Sequence, residues 1–253
     1  MSNHKRPRVT VVGHSEAIVR VAHDAMIAAR GDAHILITGE PGVGKSVVAR
    51  FIHENSDRSP LRFAMIKCQG VPDALFESEL FGHAQGSIAG AYSDKPGLLE
   101  SAAGGTVFIE EVSALSVGMQ TRLVQFLKTS DYVRMGSDRI EFRHHVRLIA
   151  STSANLKARV AAGLFLDELY ERLSGVRLTV PPLRERRDDI PLLVDHFAAE
   201  FGGARGADIP VAVREMLYRA EYPGNVQELK SIVLRQLLAS TGGNRVPPLP
   251  PSA

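Results

Sequence analysis

The sequence contains a single cysteine, Cys68, and no tryptophan. One cysteine excludes an internal disulfide framework and a zinc site built from several cysteines, and it is typical of a reducing compartment. No stretch approaches the roughly 20 apolar residues of a membrane span, and the amino terminus lacks the apolar core of a secretion signal. We therefore expect a soluble cytoplasmic protein with no membrane partner, in which Cys68 is a small buried residue.

An excess of charge of one sign is also lacking. The chain has 30 Lys and Arg against 28 Asp and Glu, a formal net charge of +2. Bulk charge therefore does not predict binding to nucleic acid or to a membrane surface. Hydrophobic residues make up 44% of the 253 residues. This is enough for the core of one α/β domain, with or without a small second domain, and it excludes global disorder.

Short apolar runs, separated by helix-length segments, recur through the first two thirds of the chain. They lie at 34–38, 63–66, 106–109 and 146–150. Compact apolar runs bounded by turn residues are typical of buried parallel strands. Strands that alternate with helices predict the α/β fold class, here a parallel sheet flanked by helices.

The pattern changes after Pro181-Pro182, because the remaining apolar periodicity is helical. Segments 188–201, 210–220 and 225–240 all predict helices, with no strand among them. We therefore expect a small all-α subdomain after the sheet. The predicted domains are an α/β nucleotide-binding subdomain at 1–187, a helical lid at 188–240 and a Pro/Gly-rich tail or linker at 241–253.

A glycine-rich loop follows the first predicted strand. Its sequence, Gly39-Glu-Pro-Gly-Val-Gly-Lys-Ser46, fits the phosphate-loop pattern G-x-x-x-x-G-K-[ST] and precedes a predicted helix. In such a loop the backbone N–H groups cradle phosphates, the lysine reaches the β- and γ-phosphates, and the serine hydroxyl ligates Mg²⁺. The alternative is a glycine-rich turn with a chance lysine. The loop residues predicted to bind ATP are Gly39, Glu40, Pro41, Gly42, Val43, Gly44, Lys45 and Ser46.

The apolar run at 106–109 ends in two carboxylates, Glu110 and Glu111. At this place in a phosphate-loop ATPase the first carboxylate holds Mg²⁺ through water, and the second polarises the attacking water. We therefore predict that Glu110 and Ser46 serve the metal and that Glu111 is the catalytic base. The alternative is a buried strand whose end is merely solvated by two acids.

Four motifs that occur in order carry a family resemblance. They are ESELFGH at 77–83, GGTVFIEE at 104–111, PPLRER at 181–186 followed by Asp189-Ile190, and YPGNVQEL at 222–229. Together they closely resemble the AAA+ domain of sigma-54-dependent transcription activators, the NtrC-type enhancer-binding proteins. The similarity extends from about residue 12 to residue 238.

The resemblance implies an α/β ATPase core with a helical lid, assembled into a ring that is usually a hexamer. ATP is then bound between protomers, and its hydrolysis drives loops that remodel RNA polymerase holoenzyme carrying sigma-54. It also implies that Arg172 acts on the nucleotide of a neighbouring protomer. Gln227 occupies the place of the family's lid arginine that senses the γ-phosphate.

The family's polymerase-contacting loop reads Gly-Ala-Phe-Thr-Gly-Ala. The matching stretch here differs in its aromatic and its hydroxyl positions, where Ile88 and Ala89 stand. An aliphatic side chain replaces part of the apolar contact area but not the stacking surface or the hydrogen bond. Outside the family context, a flexible Gly/Ala loop is the alternative. The residues of the predicted partner-contacting loop are Gly86, Ser87, Ile88, Ala89, Gly90 and Ala91.

Further departures surround the predicted hydrolysis site. Leu166 replaces the first of the family's two trans-acting arginines, and Gln227 contributes no positive charge. Lys67 stands where the family has an asparagine that pairs with the catalytic glutamate, and a lysine there is expected to form an ion pair with Glu111. The polar sensor pair is Thr152-Ser153 instead of Thr-Asn.

Three arginines, Arg184, Arg186 and Arg187, form a basic cluster before the predicted lid. A solvated surface is the default expectation for such a cluster. A contact with nucleotide or with a neighbouring protomer is the alternative.

Two functional hypotheses follow. The first is a ring-forming ATPase that acts on RNA polymerase with sigma-54 or another sigma factor. The second is a nucleotide-binding regulatory module with weak or no ATPase activity that does not act through sigma-54. No helix-turn-helix follows Ser240. We therefore expect DNA binding only through a domain or a partner outside this chain.

Overall fold

A computed structural model describes residues 9–87, 91–141, 145–202 and 209–241. No helix within these ranges is both long enough and apolar enough to cross a membrane. The helices are α1 (Glu16–Ala29), α2 (Lys45–Glu54), α3 (Asp73–Phe81), α4 (Leu98–Ser101), α5 (Val117–Thr129), α6 (Leu156–Ala161), α7 (Asp167–Leu173), α8 (Ile190–Gly202), α9 (Val211–Arg219) and α10 (Asn225–Thr241). The strands are β1 (Ile35–Thr38), β2 (Phe63–Lys67), β3 (Gly82–His83), β4 (Lys95–Pro96), β5 (Thr106–Glu110), β6 (Tyr132–Val133), β7 (Ile140–Glu141), β8 (Arg147–Thr152) and β9 (Val176–Thr179).

Five strands form a parallel sheet in the order β2-β5-β8-β1-β9. The central strands are almost wholly buried, which explains why they are continuous apolar runs in the sequence. The α/β fold class predicted from those runs is confirmed. Strand β9 was not predicted, because Leu178 is the one residue of this edge strand that is buried.

Helices cover both faces of the sheet. The Phe63 ring lies 5.2 Å from the His53 ring of α2, whereas Ala64 and Ile66 share a core cluster with side chains of α3. Successive side chains of a strand point to opposite faces, so α2 and α3 lie on opposite sides of β2. The sheet therefore forms the middle of three layers.

The chain divides into two compact units that are not continuous in sequence. Within the described ranges, the first consists of Val9, Asp24–Thr38 and Lys45–Thr179, and it holds the whole sheet. The second consists of Thr10–His23, Gly39–Gly44 and the residues from Val180 onward. The domain boundaries predicted at 187 and 240 stay a prediction.

The second unit contains the three predicted lid helices, α8, α9 and α10, and a core of its own. That core includes Leu183, Ile190, Leu217 and Leu229, all of them buried. The Tyr222 hydroxyl donates to the Leu217 carbonyl at 2.5 Å and joins the end of α9 to the turn before α10. Within the described part of this unit there are helices and no strands, as predicted.

The polar residues of the first unit that follow its strands meet at one edge of the sheet. Lys45 begins α2, Glu111 directly follows β5, and Ser153 directly follows β8. The carboxyl ends of parallel strands are the usual ligand-binding edge of an open α/β sheet. The fold therefore brings these three residues to a common site.

Candidate nucleotide-binding site

The loop lysine of the first unit is paired with the predicted catalytic base. Lys45 Nζ lies 2.9 Å from Glu111 Oε1, and the two side chains are only 6% and 14% exposed. A pair so shielded from solvent is stronger than the same pair at a surface, because water screens it less. Lys45 and Glu111 are thus joined by a strong charge-assisted hydrogen bond.

Ser153 holds the other oxygen of the same carboxylate. The Ser153 backbone N–H and hydroxyl donate to Glu111 Oε2 at 2.8 Å and 2.9 Å. Burial acts to raise the pKa of Glu111, but the hydrogen bonds from Lys45 and Ser153 outweigh burial and lower that pKa below its usual value. The carboxylate is therefore ionised at neutral pH and held on both oxygens.

The backbone of Glu111 adopts a left-handed conformation, with φ 56° and ψ 54°. For a residue with a Cβ this conformation costs about 1–2 kcal/mol. Such backbone strain clusters at functional sites, where surrounding contacts maintain it. Here the contacts from Lys45 and Ser153 keep the Glu111 side chain fixed after the sharp turn that ends β5.

The expected ion pair between Lys67 and Glu111 is wrong, because another lysine pairs with Glu111. In the register of β2 and β5, Lys67 lies opposite Glu110, one residue before the base, and its side chain is exposed. The described ion pair of Glu111 comes instead from Lys45. Cys68 is buried, as expected, and burial raises the pKa of its thiol to about 12.

The glycine-rich part of the loop belongs to the second unit, where it contacts the start of α10. Asn225 Nδ2 donates to the Pro41 carbonyl at 3.0 Å, and the Gln227 N–H donates to the Gly42 carbonyl at 3.1 Å. Gly42 has φ 77°, and a Cβ there would lie 2.2 Å from the Gly224 carbonyl oxygen. No other residue fits at position 42 without moving the backbone.

Arginines before the lid hold the same loop segment. Arg184 forms a bidentate pair with Glu40, with N–O distances of 2.6 Å and 2.8 Å. These bonds, with a third from Asn225 at 3.1 Å, lower the pKa of Glu40 to about 2. Arg186 is buried and donates to the Val43 carbonyl at 2.8 Å, so the expectation of a solvated cluster is wrong for Arg186.

The sequence did not predict a role for Asn225, and it placed Ser153 in the polar sensor pair without predicting its contact with Glu111. Asn225 is buried and has φ 55°, a conformation that asparagine tolerates better than most residues. Its position after Pro-Gly at a helix start was the available signal. For Ser153 the family resemblance gave the sensor position but not its partner, because the contact with Glu111 depends on the separation of β5 and β8.

The predicted trans-acting Arg172 lies in α7 and is half-buried. Its Nε and Nη2 donate to Glu168 Oε1 at 3.1 Å and 3.0 Å, and Glu168 also pairs with Lys128 at 2.7 Å. Leu166 packs against the core of the first unit, and its N–H donates to Gln120 Oε1 at 2.8 Å. The position of the missing arginine is thus part of the apolar packing.

The base of the predicted partner-contacting loop is closed by a hydrogen bond from the Gly86 N–H to the Ala91 carbonyl at 2.9 Å. The Ser87 hydroxyl donates to the Ala84 carbonyl at 2.6 Å. The remaining three positions, 88–90, are Ile88, Ala89 and Gly90, and they lie outside the described residues.

Family models match both parts of the chain. A model described as a sigma-54 interaction domain matches residues 11–179, and a model described as an AAA+ ATPase lid domain matches residues 184–248. The lid helices α8, α9 and α10 lie within the second match.

Similar proteins are transcription regulators from bacteria. The nitric oxide reductase transcription regulator NorR1 of Cupriavidus necator is 39% identical over 241 residues, which cover 93% of this chain and 46% of that protein. The Nif-specific regulatory protein of Bradyrhizobium diazoefficiens is 37% identical over 234 residues, which cover 92% of this chain and 40% of that protein. The chain spans about half the length of the curated relatives it matches.

Solved structures share the fold. NtrX from Brucella abortus in complex with ADP is 32% identical with a TM-score of 0.83, over 93% of this chain and 53% of that one. The same protein in complex with ATP gives a TM-score of 0.82 over 94% of this chain and 54% of that one. Hsp104 is 16% identical with a TM-score of 0.67, over 92% of this chain and 45% of that one, and so shares the fold alone. The matched models and the geometry agree, and the chain belongs to the sigma-54 interaction domain family, an AAA+ fold with a helical lid.

Proposed function

We propose that this chain is the ATP-binding AAA+ domain of a cytoplasmic bacterial transcription regulator. The observation that carries the proposal is the 2.9 Å pair between Lys45 and Glu111 at the carboxyl edge of the sheet. It joins the lysine of a phosphate loop to the acid that follows β5, a strand that β8 separates from β1 in the sheet. The NtrX relative, whose structures contain ADP and ATP, supports nucleotide binding.

When phosphate binds, we expect Lys45 to leave Glu111 and to pair with the phosphate instead. The phosphates of ATP carry more negative charge than one carboxylate, and the loop N–H groups add donors that Glu111 does not receive. When Lys45 turns to the β- and γ-phosphates, Glu111 Oε1 becomes free to accept a proton from water. Ser153 keeps its two hydrogen bonds to Oε2 during this exchange and orients the base.

The proposed site also fits Mg²⁺. The Ser46 hydroxyl and the Glu110 carboxylate are oxygen donors of the kind that Mg²⁺ prefers, and both side chains are partly exposed. When bound, the metal neutralises charge on the phosphates. No cluster of three or more His, Cys, Asp or Glu suited to a metal occurs in the described ranges.

Hydrolysis is proposed to occur in a ring of protomers, because Arg172 is proposed to act on the nucleotide of a neighbouring protomer. It must leave Glu168 to do so, and that exposed pair is weak enough to break. The family model describes a sigma-54 interaction domain, so RNA polymerase holoenzyme with sigma-54 is the proposed partner.

A nucleotide-held regulatory module with little turnover is the second candidate. The double hold on Glu111 favours it, since a base whose two oxygens are engaged is a poor proton acceptor. Leu166 favours it too, because a missing trans-acting arginine removes a contribution of about 10³–10⁵ to the rate. Both candidates require ATP binding.

Calorimetry with ATP and Mg²⁺ tests the shared claim. Lys45→Ala is expected to weaken ATP binding at least about 100-fold, because it removes the charge nearest the β- and γ-phosphates. Lys230→Ala is the matched control, since it removes a lysine paired with Glu200 in the second unit and is expected to change affinity less than about twofold. Equal affinity of the Lys45 variant and the wild type would contradict the proposed site.

Steady-state hydrolysis over a series of protein concentrations separates the two candidates. Turnover per subunit that rises with concentration indicates a shared, working site. Tight binding without turnover at any concentration indicates the regulatory module.

A further inference from the structure

Two cationic side chains from different helices of the first unit meet at one carboxylate oxygen. Lys128 Nζ, near the end of α5, lies 2.7 Å from Glu168 Oε1. Arg172 of α7 donates to the same oxygen from Nε at 3.1 Å and from Nη2 at 3.0 Å. Two cations this close repel each other unless an anion lies between them. Lys128, Glu168 and Arg172 therefore form a cluster in which two cations point at one anionic position.

The cluster has two positive charges and one negative charge. In the part of the chain that the structure describes, Glu168 is the only carboxylate paired with either cation. All three side chains are partly exposed, 45% for Lys128 and Glu168 and 35% for Arg172. Ion pairs this open to water contribute little to stability and break readily. A more highly charged anion is therefore expected to displace Glu168 from both cations.

The two cations suit a phosphate group. A phosphate presents several acceptor oxygens and carries more negative charge than a carboxylate. An arginine binds such oxygens through its planar fork of donors, and a lysine binds them as a compact point charge. Lys128 and Arg172 direct both kinds of donor at the position that Glu168 Oε1 occupies. A phosphate at that position would be bound by both.

The segment before α7 lacks a cation that Lys128 replaces. Leu166, at the place of the first trans-acting arginine, is apolar and packs against the core of the first unit. Its N–H donates to Gln120 Oε1 at 2.8 Å, so the backbone at this position is fixed as well. Position 166 therefore offers no charge to a nucleotide. Lys128 reaches the cluster with Arg172 from the adjacent helix α5 instead.

From these contacts we propose that Lys128 is a second trans-acting cation, which binds the phosphates of ATP in a neighbouring copy of the chain together with Arg172. Both cations leave Glu168 when the neighbour's nucleotide arrives. Lys128 takes up no proton and forms no covalent bond; it neutralises charge on the transferred phosphoryl group. The inference rests on the proposed function, because it requires hydrolysis at a site shared between copies, and it adds a lysine that compensates for Leu166.

A mixture of two impaired variants tests this contribution. The acceptor subunit, Lys128→Ala combined with Arg172→Ala, keeps its own nucleotide site but supplies no cation to its neighbour. The donor subunit, Glu111→Gln, supplies both cations but lacks the proposed base of its own site. We expect phosphate release from ATP and Mg²⁺ to be at least about tenfold faster in the mixture than in either variant by itself.

Further substitutions are then made in the donor subunit only. Adding Lys128→Ala to the donor is expected to slow phosphate release by the mixture at least about tenfold. Lys128→Arg, which keeps the charge, is expected to stay within about threefold of the unchanged donor. Lys95→Ala is the matched control, because Lys95 is 46% exposed and pairs with Glu79 in the same unit. It is expected to change the rate less than about twofold.

The outcomes separate the inference from the proposed function. A Lys128→Ala donor that supports the same rate as the unchanged donor would overturn the inference alone. A mixture no faster than its components would overturn both shared hydrolysis and the inference, whereas ATP binding is measured separately by calorimetry. A Lys128→Ala donor that no longer self-associates in sedimentation with ATPγS would show that Lys128 contacts protein instead of phosphate, and would also overturn the inference. Equal ATP affinity of all donor variants confirms that they are folded.

Discussion

Asn225 gives the sharpest test of how the second unit holds the phosphate loop. The side chain is 1% exposed, and its backbone has φ 55°. Its Oδ1 accepts the Leu183 N–H at 2.8 Å, and its Nδ2 donates to the Pro41 carbonyl at 3.0 Å and to Glu40 at 3.1 Å. We expect Asn225→Ala to destabilise this unit and to release the loop.

The size of the effect follows from three losses. The bond to the Pro41 carbonyl contributes about 1 kcal/mol, and the longer, part-buried bond to Glu40 contributes less, because Glu40 keeps its bidentate pair with Arg184. The Leu183 N–H is left buried without its acceptor, which costs about 1–3 kcal/mol. Alanine in a left-handed conformation costs about 1 kcal/mol more than asparagine. We therefore expect a loss of about 3–5 kcal/mol in the free energy of unfolding.

Urea denaturation followed by circular dichroism measures this loss, and hydrogen exchange at the Leu183 amide reports on the site itself. Asn225→Gly is the matched control, because glycine tolerates the backbone conformation but makes none of the side-chain bonds. It is expected to recover about 1 kcal/mol relative to alanine. A loss below about 1 kcal/mol for Asn225→Ala, with Leu183 exchange unchanged, would show that the Asn225 side chain does not hold the loop.

Three further predictions change the charge of residues in the phosphate loop and around the predicted hydrolysis site. Because the Glu40 pKa is lowered from 4.5 to about 2, its pair stabilises the fold above pH 4.5, and this contribution is lost as the pH falls toward 2. The difference in melting temperature between wild type and Glu40→Gln should therefore shrink over that range, and a constant difference would contradict the pairing with Arg184. Glu111→Gln should retain ATP binding and lower turnover at least about 100-fold, as measured by phosphate release; unchanged turnover would exclude Glu111 as the base. Leu166→Arg combined with Gln227→Arg should raise turnover at least about tenfold with little change in ATP affinity, and a flat rate would show that these departures do not limit hydrolysis.

The sequence predicted the sheet well where burial was complete. The run at 34–38 became β1 at Ile35–Thr38, and the run at 106–109 became β5 at Thr106–Glu110. Both strands are buried on two faces and so leave a continuous apolar signal. Strand β9 and the two-residue strands of the hairpins leave no such signal, because their side chains are largely exposed or their ladders are too short.

The site was predicted as a set of residues but not as a set of contacts. The phosphate-loop motif and the two carboxylates after 106–109 predicted Lys45 and Glu111 as residues of one site, and the structure places their side chains 2.9 Å apart. Lys67 was expected to pair with Glu111. That prediction is wrong, because the contact depends on the register of the parallel strands β2 and β5. A one-residue offset placed Lys67 opposite Glu110, and no motif reports such an offset.

The position of Glu111 has a consequence for both candidate functions. Its carboxylate is the acceptor that satisfies the charge of a nearly buried Lys45, so the loop lysine is stable without a phosphate ligand. Nucleotide must therefore compete with Glu111 for Lys45, and part of its binding energy is spent on separating that pair. The same separation is what turns Glu111 into a proton acceptor. Binding and activation of the base are thus one event at Lys45, and a chain that binds ATP weakly would also activate Glu111 rarely. Slow turnover would then reflect this competition as well as the missing arginine.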